Sequence, residues 1–364
     1  MIEKSIINEV LKAYFTCSVS YCESYGNGHI NDTFLVICGK KYILQRMNTN
    51  IFTRPVELME NVIAVTEHIR EKSRASGLDS SRSTLTLIPA LSGNKFYVAS
   101  DGSYWRLYDF VVGSVTRERV EDPEEFYKCA VAFGVFQQQL ADFPADKLHT
   151  TIENLHNTPW RLKNLIDAAE RDPFGRLRSV MSDLDFALSR RDLSNMLENA
   201  YKNGDLPLRV THNDTKLNNI LFDAATGDPL CVIDLDTVMP GYSVTDFGDS
   251  IRFGANRASE DEKDVSKISL DLDLFELYTK GFIEGCGGKL TKTEIELLPY
   301  GALVITLELG MRFLTDHLLG DVYFKIHRPD HNLDRARAQF ALLADMERKL
   351  GDMVNIVDRM GFNV

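Results

Sequence analysis

The sequence predicts an α+β fold in two parts, a small antiparallel β-sheet lobe with one helix over residues 1–112 and a larger, mostly helical lobe over 113–364. Three observations carry this expectation. The first third of the chain holds short β-rich runs separated by Gly/Asn turns, which is how an antiparallel meander is written. From about Gly113 onward, long runs with helical spacing take over. One β-rich island, 208–236, interrupts the helices, and the polar residues concentrate there.

Taken in order, a first helix is expected over Glu3–Phe15, then a strand over Ser18–Tyr25, a glycine turn Gly26–Asn31 and a strand over Thr33–Cys38. The turn Gly39-Lys-Lys41 leads into a third strand, Tyr42–Met47. Pro55–Arg70 places Val56, Met59, Val62, Ile63, Thr66 and Ile69 at helical spacing, so it should lay one face on that sheet. Phe96–Val98 and Tyr104–Val112, separated by Ser100-Asp-Gly-Ser103, complete a sheet of about five strands. Helices are expected over Pro123–Phe143, Thr158–Glu170, Asp183–Asn203 and Leu297–Leu319. The island itself reads as a strand, a polar loop, a strand over the residues ending at Asp223, a turn at Ala224–Asp228, and a strand running to Asp234.

The 364 residues are 44% hydrophobic and 26% charged, with a formal net charge of −12, the balance of an ordinary globular protein with a sizeable core. That charge repels a nucleic-acid backbone or an anionic membrane surface, so neither is expected as a partner. It does not exclude a nucleotide, because carboxylates hold the metal that screens a polyphosphate. The six cysteines are scattered, with no CxxC pair, and read as buried thiols of a reducing compartment. The N-terminus is amphipathic with mixed charge, and no 18-residue apolar run exists, so the expectation is a cytoplasmic protein.

Phosphoryl transfer needs a group that orients the nucleophile and accepts its proton, and metal to neutralise charge on the phosphates. Asp214 is the candidate base, Asn219 offers an amide oxygen five residues on, and Asp234 offers a carboxylate at the end of the next strand. Mg²⁺ takes hard oxygen ligands and keeps several waters, so one amide and one carboxylate suffice from the protein. Gly26-Asn-Gly28-His29 is either a plain hairpin or a place where bare backbone N–H groups approach phosphates. No GxxxxGK[ST] sequence is present.

His212-Asn-Asp214-Thr-Lys216-Leu-Asn-Asn219 resembles the H-x-D-x-K-x-x-N loop of protein kinases, and more closely the HND/HGD loop of aminoglycoside phosphotransferase-like and choline kinase-like small-molecule kinases. The resemblance implies a bilobal protein-kinase-like fold that uses ATP and Mg²⁺. It implies Asp214 as catalytic base, Lys216 against the γ-phosphate, Asn219 and Asp234 as Mg²⁺ ligands, and His212 as a structural lock. Gly26, Gly28, His29, Gln45, Tyr108 and Phe110 then fall at nucleotide-binding positions, with 108–111 as the hinge read by adenine. Gln45 stands where such kinases carry a phosphate-binding lysine, and Arg46 faces the other side of the strand. Asp246-Phe-Gly248 imitates the kinase metal motif; it reads instead as a helix cap, or, by the resemblance, as a bond to the backbone of the catalytic loop.

Further blocks resemble bacterial N-acetylhexosamine 1-kinases: Gly26-x-Gly-His-Ile-Asn31, Tyr42-Ile-Leu-Gln-x-Met-Asn-Thr49, Asp234-Leu-Asp-Thr237 with Met239-Pro-Gly241, Asp246–Gly254, and Gly310-Met-Arg-Phe-Leu314 with Gly320-Asp-x-Tyr-Phe324. This implies ATP-dependent phosphorylation of the anomeric hydroxyl of a small-molecule sugar, N-acetylglucosamine or N-acetylgalactosamine, with Arg312 and Tyr323 touching the sugar beside Asp214. Arg312 has a plainer reading as a helical ion pair with Glu308 or Asp316. The alternatives are a kinase of homoserine, choline, methylthioribose or an aminoglycoside, or a non-catalytic, pseudokinase-like binding protein. Trp105 and Trp160 read as packing, Ser259–Asp264 as a solvated helix start, and His327–His331 as a surface turn.

Overall fold

The computed structural model describes residues 2–26, 30–77, 79–117, 120 and 122–361. In chain order the elements are α1 (Lys4–Tyr14), β1 (Tyr21–Ser24), β2 (Asp32–Cys38), β3 (Lys40–Arg46), α2 (Pro55–Ala75), β4 (Leu87–Ile88), β5 (Tyr97–Val98), β6 (Tyr104–Asp109), β7 (Ser114–Val115), α3 (Pro123–Gln139) and α4 (Thr158–Arg171). There follow α5 (Met181–Leu188), α6 (Arg191–Lys202), β8 (Arg209–Thr211), β9 (Ile220–Asp223), β10 (Pro229–Val232), β11 (Met239–Gly241), α7 (Ser243–Gly254), α8 (Leu272–Cys286), α9 (Lys292–Leu318) and α10 (His331–Gly361). The backbone divides into two compact units, one of 1–115, 142–153 and 221–239, the other of 116–141, 154–220 and 240–364. The α+β class is as expected. Residues 142–153 and 221–239, read from the sequence as part of the helical lobe, cluster instead with the β-rich unit.

In the first unit the sheet runs β1-β2-β3-β6-β4, with β5 also on β6 and every pairing antiparallel. Period-2 alternation puts Phe34, Val36, Leu44, Trp105 and Leu107 on one face, where Val10 and Tyr14 of α1 cover them. Tyr14 satisfies its buried hydroxyl by donating to the Trp105 carbonyl at 3.0 Å. The packing role expected of Trp105 is observed, since it is fully buried. Helix α2 buries Leu58, Met59, Val62, Val65 and Ile69, and Asn61 within it donates to the carbonyls of His149 and Val238, tying the two returning segments to the unit.

The second unit is helical, with α9 at its centre against α4, α7 and α10, and α3 against α8. Helix α9 is apolar enough to cross a membrane by composition, mean hydropathy 1.4, yet 83% of that stretch is buried within the protein, as the central helix of a bundle must be. Its N-terminus carries a capping box, Thr291 with Glu294, and Arg209 and Ser243 also donate to the Glu294 carboxylate. Helices α7 and α9 approach closely through glycine. A Cβ on Gly301 would lie 2.1 Å from the Val244 carbonyl oxygen, a backbone atom with no room to yield. Gly301→Ala is therefore expected to lower stability by about 1–3 kcal/mol through overpacking. Urea unfolding checks this, and an unchanged midpoint would mean that the helices separate at no cost.

Four expectations are corrected. Asp183–Asn203 is two helices, because Arg190 leaves helical geometry (φ −108°, ψ 26°) while its guanidinium pairs with Glu347 of α10 and the Phe186 carbonyl. Cys17 and Cys38 are not thiols but a disulfide, since the β1–β2 pairing, extended by Ser20 N–H to Ile37 O, brings their Cα atoms to 6.7 Å. Cys129, Cys231 and Cys286 are buried thiols and Cys22 is half-buried. Residues 259–264 do lead into a helix, since Asp264 caps a short 3₁₀ turn over Val265–Lys267, but the run is not simply solvated; Glu260 pairs with buried Arg252 and Asp261 meets His331, which is itself buried at the start of α10 rather than in a surface turn.

Candidate active site

The polar loop between β8 and β9 belongs to the second unit up to Ile220. Its backbone is held from below by the first turn of α7. Asp246 accepts from the His212 and Asn213 N–H groups, both at 2.8 Å, and from Gln137 Nε2 at 3.0 Å. Burial raises the Asp246 carboxyl above its ordinary value, against the pull of His212 and the two N–H donors. Asp246 is thus the loop anchor that the resemblance implied. It is not the helix cap, because the N-cap residue of α7 is Tyr242. Thr215 completes the seam by donating from its hydroxyl to the Asp246 carbonyl and from its N–H to Asp249. His212 is fully buried, edge-on to Phe133 and Phe136, consistent with a structural lock.

Asp214 projects from this fixed backbone with its side chain partly exposed. Lys216 Nζ lies 2.6 Å from Asp214 Oδ1, and Asn219 Nδ2 donates to the Asp214 carbonyl at 2.8 Å and to Oδ2 at 3.2 Å. Burial pulls Lys216 down, but Asp214 and Asp249 outweigh it and hold the ammonium above the ordinary lysine value, so it stays charged. Asp249 is buried against Arg252, and burial alone would raise it; Arg252 and Lys216 together keep it below the usual carboxylate range. The loop thus presents a carboxylate, a fixed cation and an oriented amide within six residues.

The first unit holds the other predicted positions. Gly26 takes φ +78°, a conformation glycine adopts without strain, right after β1; Gly28 and His29 lie outside the described residues. Tyr108 is buried in β6, and the N–H groups of Asp109 and Phe110 still donate across the sheet, to Thr86 and Lys41. The Gln45 amide is engaged within the sheet. Its Oε1 accepts from Arg106 Nε and Nη2 at 3.0 and 2.9 Å, and its Nε2 donates to Thr33. Arg46 pairs with Asp32.

Arg106, directly opposite Gln45 in the β3–β6 register, was not singled out from the sequence. It is fully buried and its Nη1 lies 2.5 Å from Asp236, whose other oxygen accepts from Asn31 Nδ2 at 2.6 Å. Asn31 closes the glycine turn, so this network joins the turn, the sheet and the stretch that follows β10. Asp234 stands two residues before Asp236, in a left-handed conformation (φ 58°, ψ 56°) that is uncommon for a side-chain-bearing residue. The missed signal was non-local: Arg106 and Asp236 are 130 residues apart.

Of the two residues expected at the acceptor, Arg312 is mostly buried on α9, 3.9 Å from Glu308 and against the Phe324 ring, so the ion-pair reading is realised in part. Tyr323 is 68% exposed, held in place by its N–H to Asp316. Arg161 lies within electrostatic reach of Arg312, Glu308 and Tyr323; burial lowers it to about 10, and its Nε has no hydrogen-bond partner among the described residues. Trp160 is 37% exposed with the Arg161 guanidinium over its ring, so it is less a core residue than the sequence suggested.

No group of three or more His, Cys, Asp or Glu side chains able to hold a metal occurs among the described residues. A Mg²⁺ that keeps waters and binds phosphate oxygens needs no such group. Asn219 fits as one ligand in its donor chemistry, because both of its bonds to Asp214 use Nδ2 and its Oδ1 is a hard oxygen. The model of the phosphotransferase enzyme family matches residues 22–266, well over half the chain. The chain belongs to that family. The structure of a microcompartment-associated aminopropanol kinase is similar at TM-score 0.66 and 16% identity, covering 97% of this chain and 99% of that one. An aminoglycoside phosphotransferase from Alicyclobacillus acidocaldarius is similar at TM-score 0.61 and 15% identity over 99% and 97%. An amicoumacin kinase solved with AMP-PNP and Ca²⁺ is similar at TM-score 0.60 and 13% identity over 96% and 94%. These likenesses establish the phosphotransferase's fold as that of kinase structures.

Proposed function

We propose that this phosphotransferase transfers the γ-phosphoryl group of ATP to the anomeric hydroxyl of an N-acetylhexosamine. The observation that carries the reading is the Asp214 carboxylate, held by Lys216 and Asn219 on a backbone pinned by Asp246. Asp214 takes the hydroxyl proton as the sugar oxygen bonds to phosphorus and the bond to the leaving ADP oxygen breaks. By the resemblance, Asn219 and Asp234 are the residues that would hold Mg²⁺, which would supply neutralisation of the phosphate charge. Lys216 keeps its charge for the same purpose.

The acceptor reading rests on the resemblance at Arg312 and Tyr323 and on charge. Arg312 and Arg161 are neighbours, and the nearest carboxylate, Glu308, is shared with His156 and Thr158. Guanidinium groups suit ring, hydroxyl and acetamido oxygens and oppose an ammonium. An exposed tyrosine adds an apolar face and a hydroxyl. The second reading keeps the kinase and changes the alcohol, and the likeness to an aminopropanol kinase favours it. ATP-dependent ADP release, with phosphorus NMR of the product, separates them across N-acetylglucosamine, N-acetylgalactosamine, glucose, galactose, homoserine, choline, aminopropanol and kanamycin. Turnover confined to the N-acetylated sugars with an anomeric phosphate is expected; turnover on an amino alcohol alone sinks the sugar.

A further inference from the structure

The peptide just ahead of Asp214 has a second anchor that lies in none of the matched motifs. His156 sits before α4, with Nδ1 3.0 Å from Glu308 Oε1 and Nε2 3.2 Å from the Asn213 carbonyl oxygen. A carboxylate and a carbonyl only accept hydrogen bonds, so both ring nitrogens must donate, which a neutral imidazole cannot do. Glu308 is fully buried on α9, and its other oxygen accepts from Thr158 at 2.9 Å, so it is fixed in place to hold the ring's charge. Asn213 is left-handed (φ +64°) and its N–H is bound to Asp246. With its N–H held from α7 and its carbonyl from His156, Asn213 is clamped at both ends, and the peptide joining it to Asp214 is held at its carbonyl by His156 and at the Asp214 N–H by His212 Nδ1 at 3.3 Å.

We propose that His156 is a positioning residue for Asp214: as an imidazolium bridging Glu308 and the Asn213 carbonyl, it fixes the peptide that aims the Asp214 carboxylate. This rests on the reading of Asp214 as the base. The charged groups facing the ring are Glu308 and Arg312 from α9 and Asp246 and Asp249 from α7. Burial lowers the ring's proton affinity, Glu308 and Asp249 raise it, Arg312 lowers it, and the balance lies above the ordinary histidine value. A raised value means the bridge is complete below the ordinary imidazole range and is lost as pH rises through the raised one. The consequence is a fall in turnover on the alkaline side. Glu308 also faces Arg312, so the anchor of the base and the proposed sugar-side arginine share one carboxylate.

The test begins with nitrogen-15 NMR of the histidine rings in the unliganded full chain, the His156 signals being those removed by His156→Gln. Both ring nitrogens should be protonated at neutral pH and should titrate above the exposed histidines; Glu308→Gln should lower that titration. A singly protonated ring at neutral pH, or a titration unmoved by Glu308→Gln, overturns the proposal. Neither readout needs a substrate, so a chain inactive on every sugar leaves this arm standing while the sugar reading fails. With whichever alcohol turns over, His156→Gln should lower kcat on the order of 10- to 100-fold, leave KM for ATP unchanged and erase the alkaline fall. An unchanged kcat and pH profile in a folded variant would show a merely structural histidine.

Discussion

Asp214→Asn is expected to reduce turnover by about 10²- to 10⁴-fold, the usual contribution of a positioned general base, while leaving nucleotide affinity near that of the wild type. The substitution keeps the shape of the side chain, and the bonds that shape the loop do not depend on its charge. The Asp214 carbonyl still accepts from Asn219, and His212 and Asn213 are still held by Asp246. What changes is that an amide cannot take a proton, and that Lys216 loses its 2.6 Å partner. That pair is partly exposed and contributes at most about 1 kcal/mol, so a drop in activity with unchanged unfolding is a chemical effect. Single-turnover kinetics beside ATP titration separates the two. Retained turnover would remove Asp214 from the chemistry.

The largest effect on stability is expected at the buried pair of Arg106 and Asp236. Each is about 2% exposed, and Asp236→Ala leaves a guanidinium without its carboxylate in the interior, a loss of about 3–5 kcal/mol. Arg106→Met strands the carboxylate instead and should cost as much. Replacing both, as Arg106→Met with Asp236→Leu, should recover most of the stability because no buried charge is left behind. Trp105 is fully buried beside Arg106 in the first unit, and the other tryptophan, Trp160, lies in the second, so fluorescence during urea unfolding of a Trp160→Phe background reports the right unit. A double variant as weak as the singles would mean that Gln45 and Asn31, not the ion pair, hold this region together.

What the sequence disclosed was whatever is written locally. The loop from His212 to Asn219 is legible because a base, a cation and an amide must follow one another at fixed spacing on one stretch of backbone. Helices α3, α4 and α9 are legible because their apolar residues recur at a helical period. Strands β4 and β7 span two residues each, too few to carry any period. The break between α5 and α6 has no proline or glycine; it follows from Arg190 reaching Glu347, 157 residues away. Gln45 falls at the lysine position because its strand is legible in the sequence and its neighbour across the sheet is not. Only the register, which sets Gln45 opposite Arg106, reveals that its amide oxygen is already committed. The pairing of His156 with Glu308 is hidden for the same reason, since neither motif nor spacing connects residues 152 positions apart.

The β-rich unit is discontinuous, and this bears on how the chain is made. A ribosome delivers the sheet strands β1 to β7 long before residues 221–239 exist. Until then Arg106 has no carboxylate to meet, Asn61 has no Val238 carbonyl, and Arg82 has no Asp223. The segment up to Val115 therefore emerges early and matures late, waiting through more than a quarter of the chain for a short hairpin that closes it. Folding of this unit should be governed by that long-range closure, and a nascent chain stopped before Leu221 should present an unfinished sheet to chaperones.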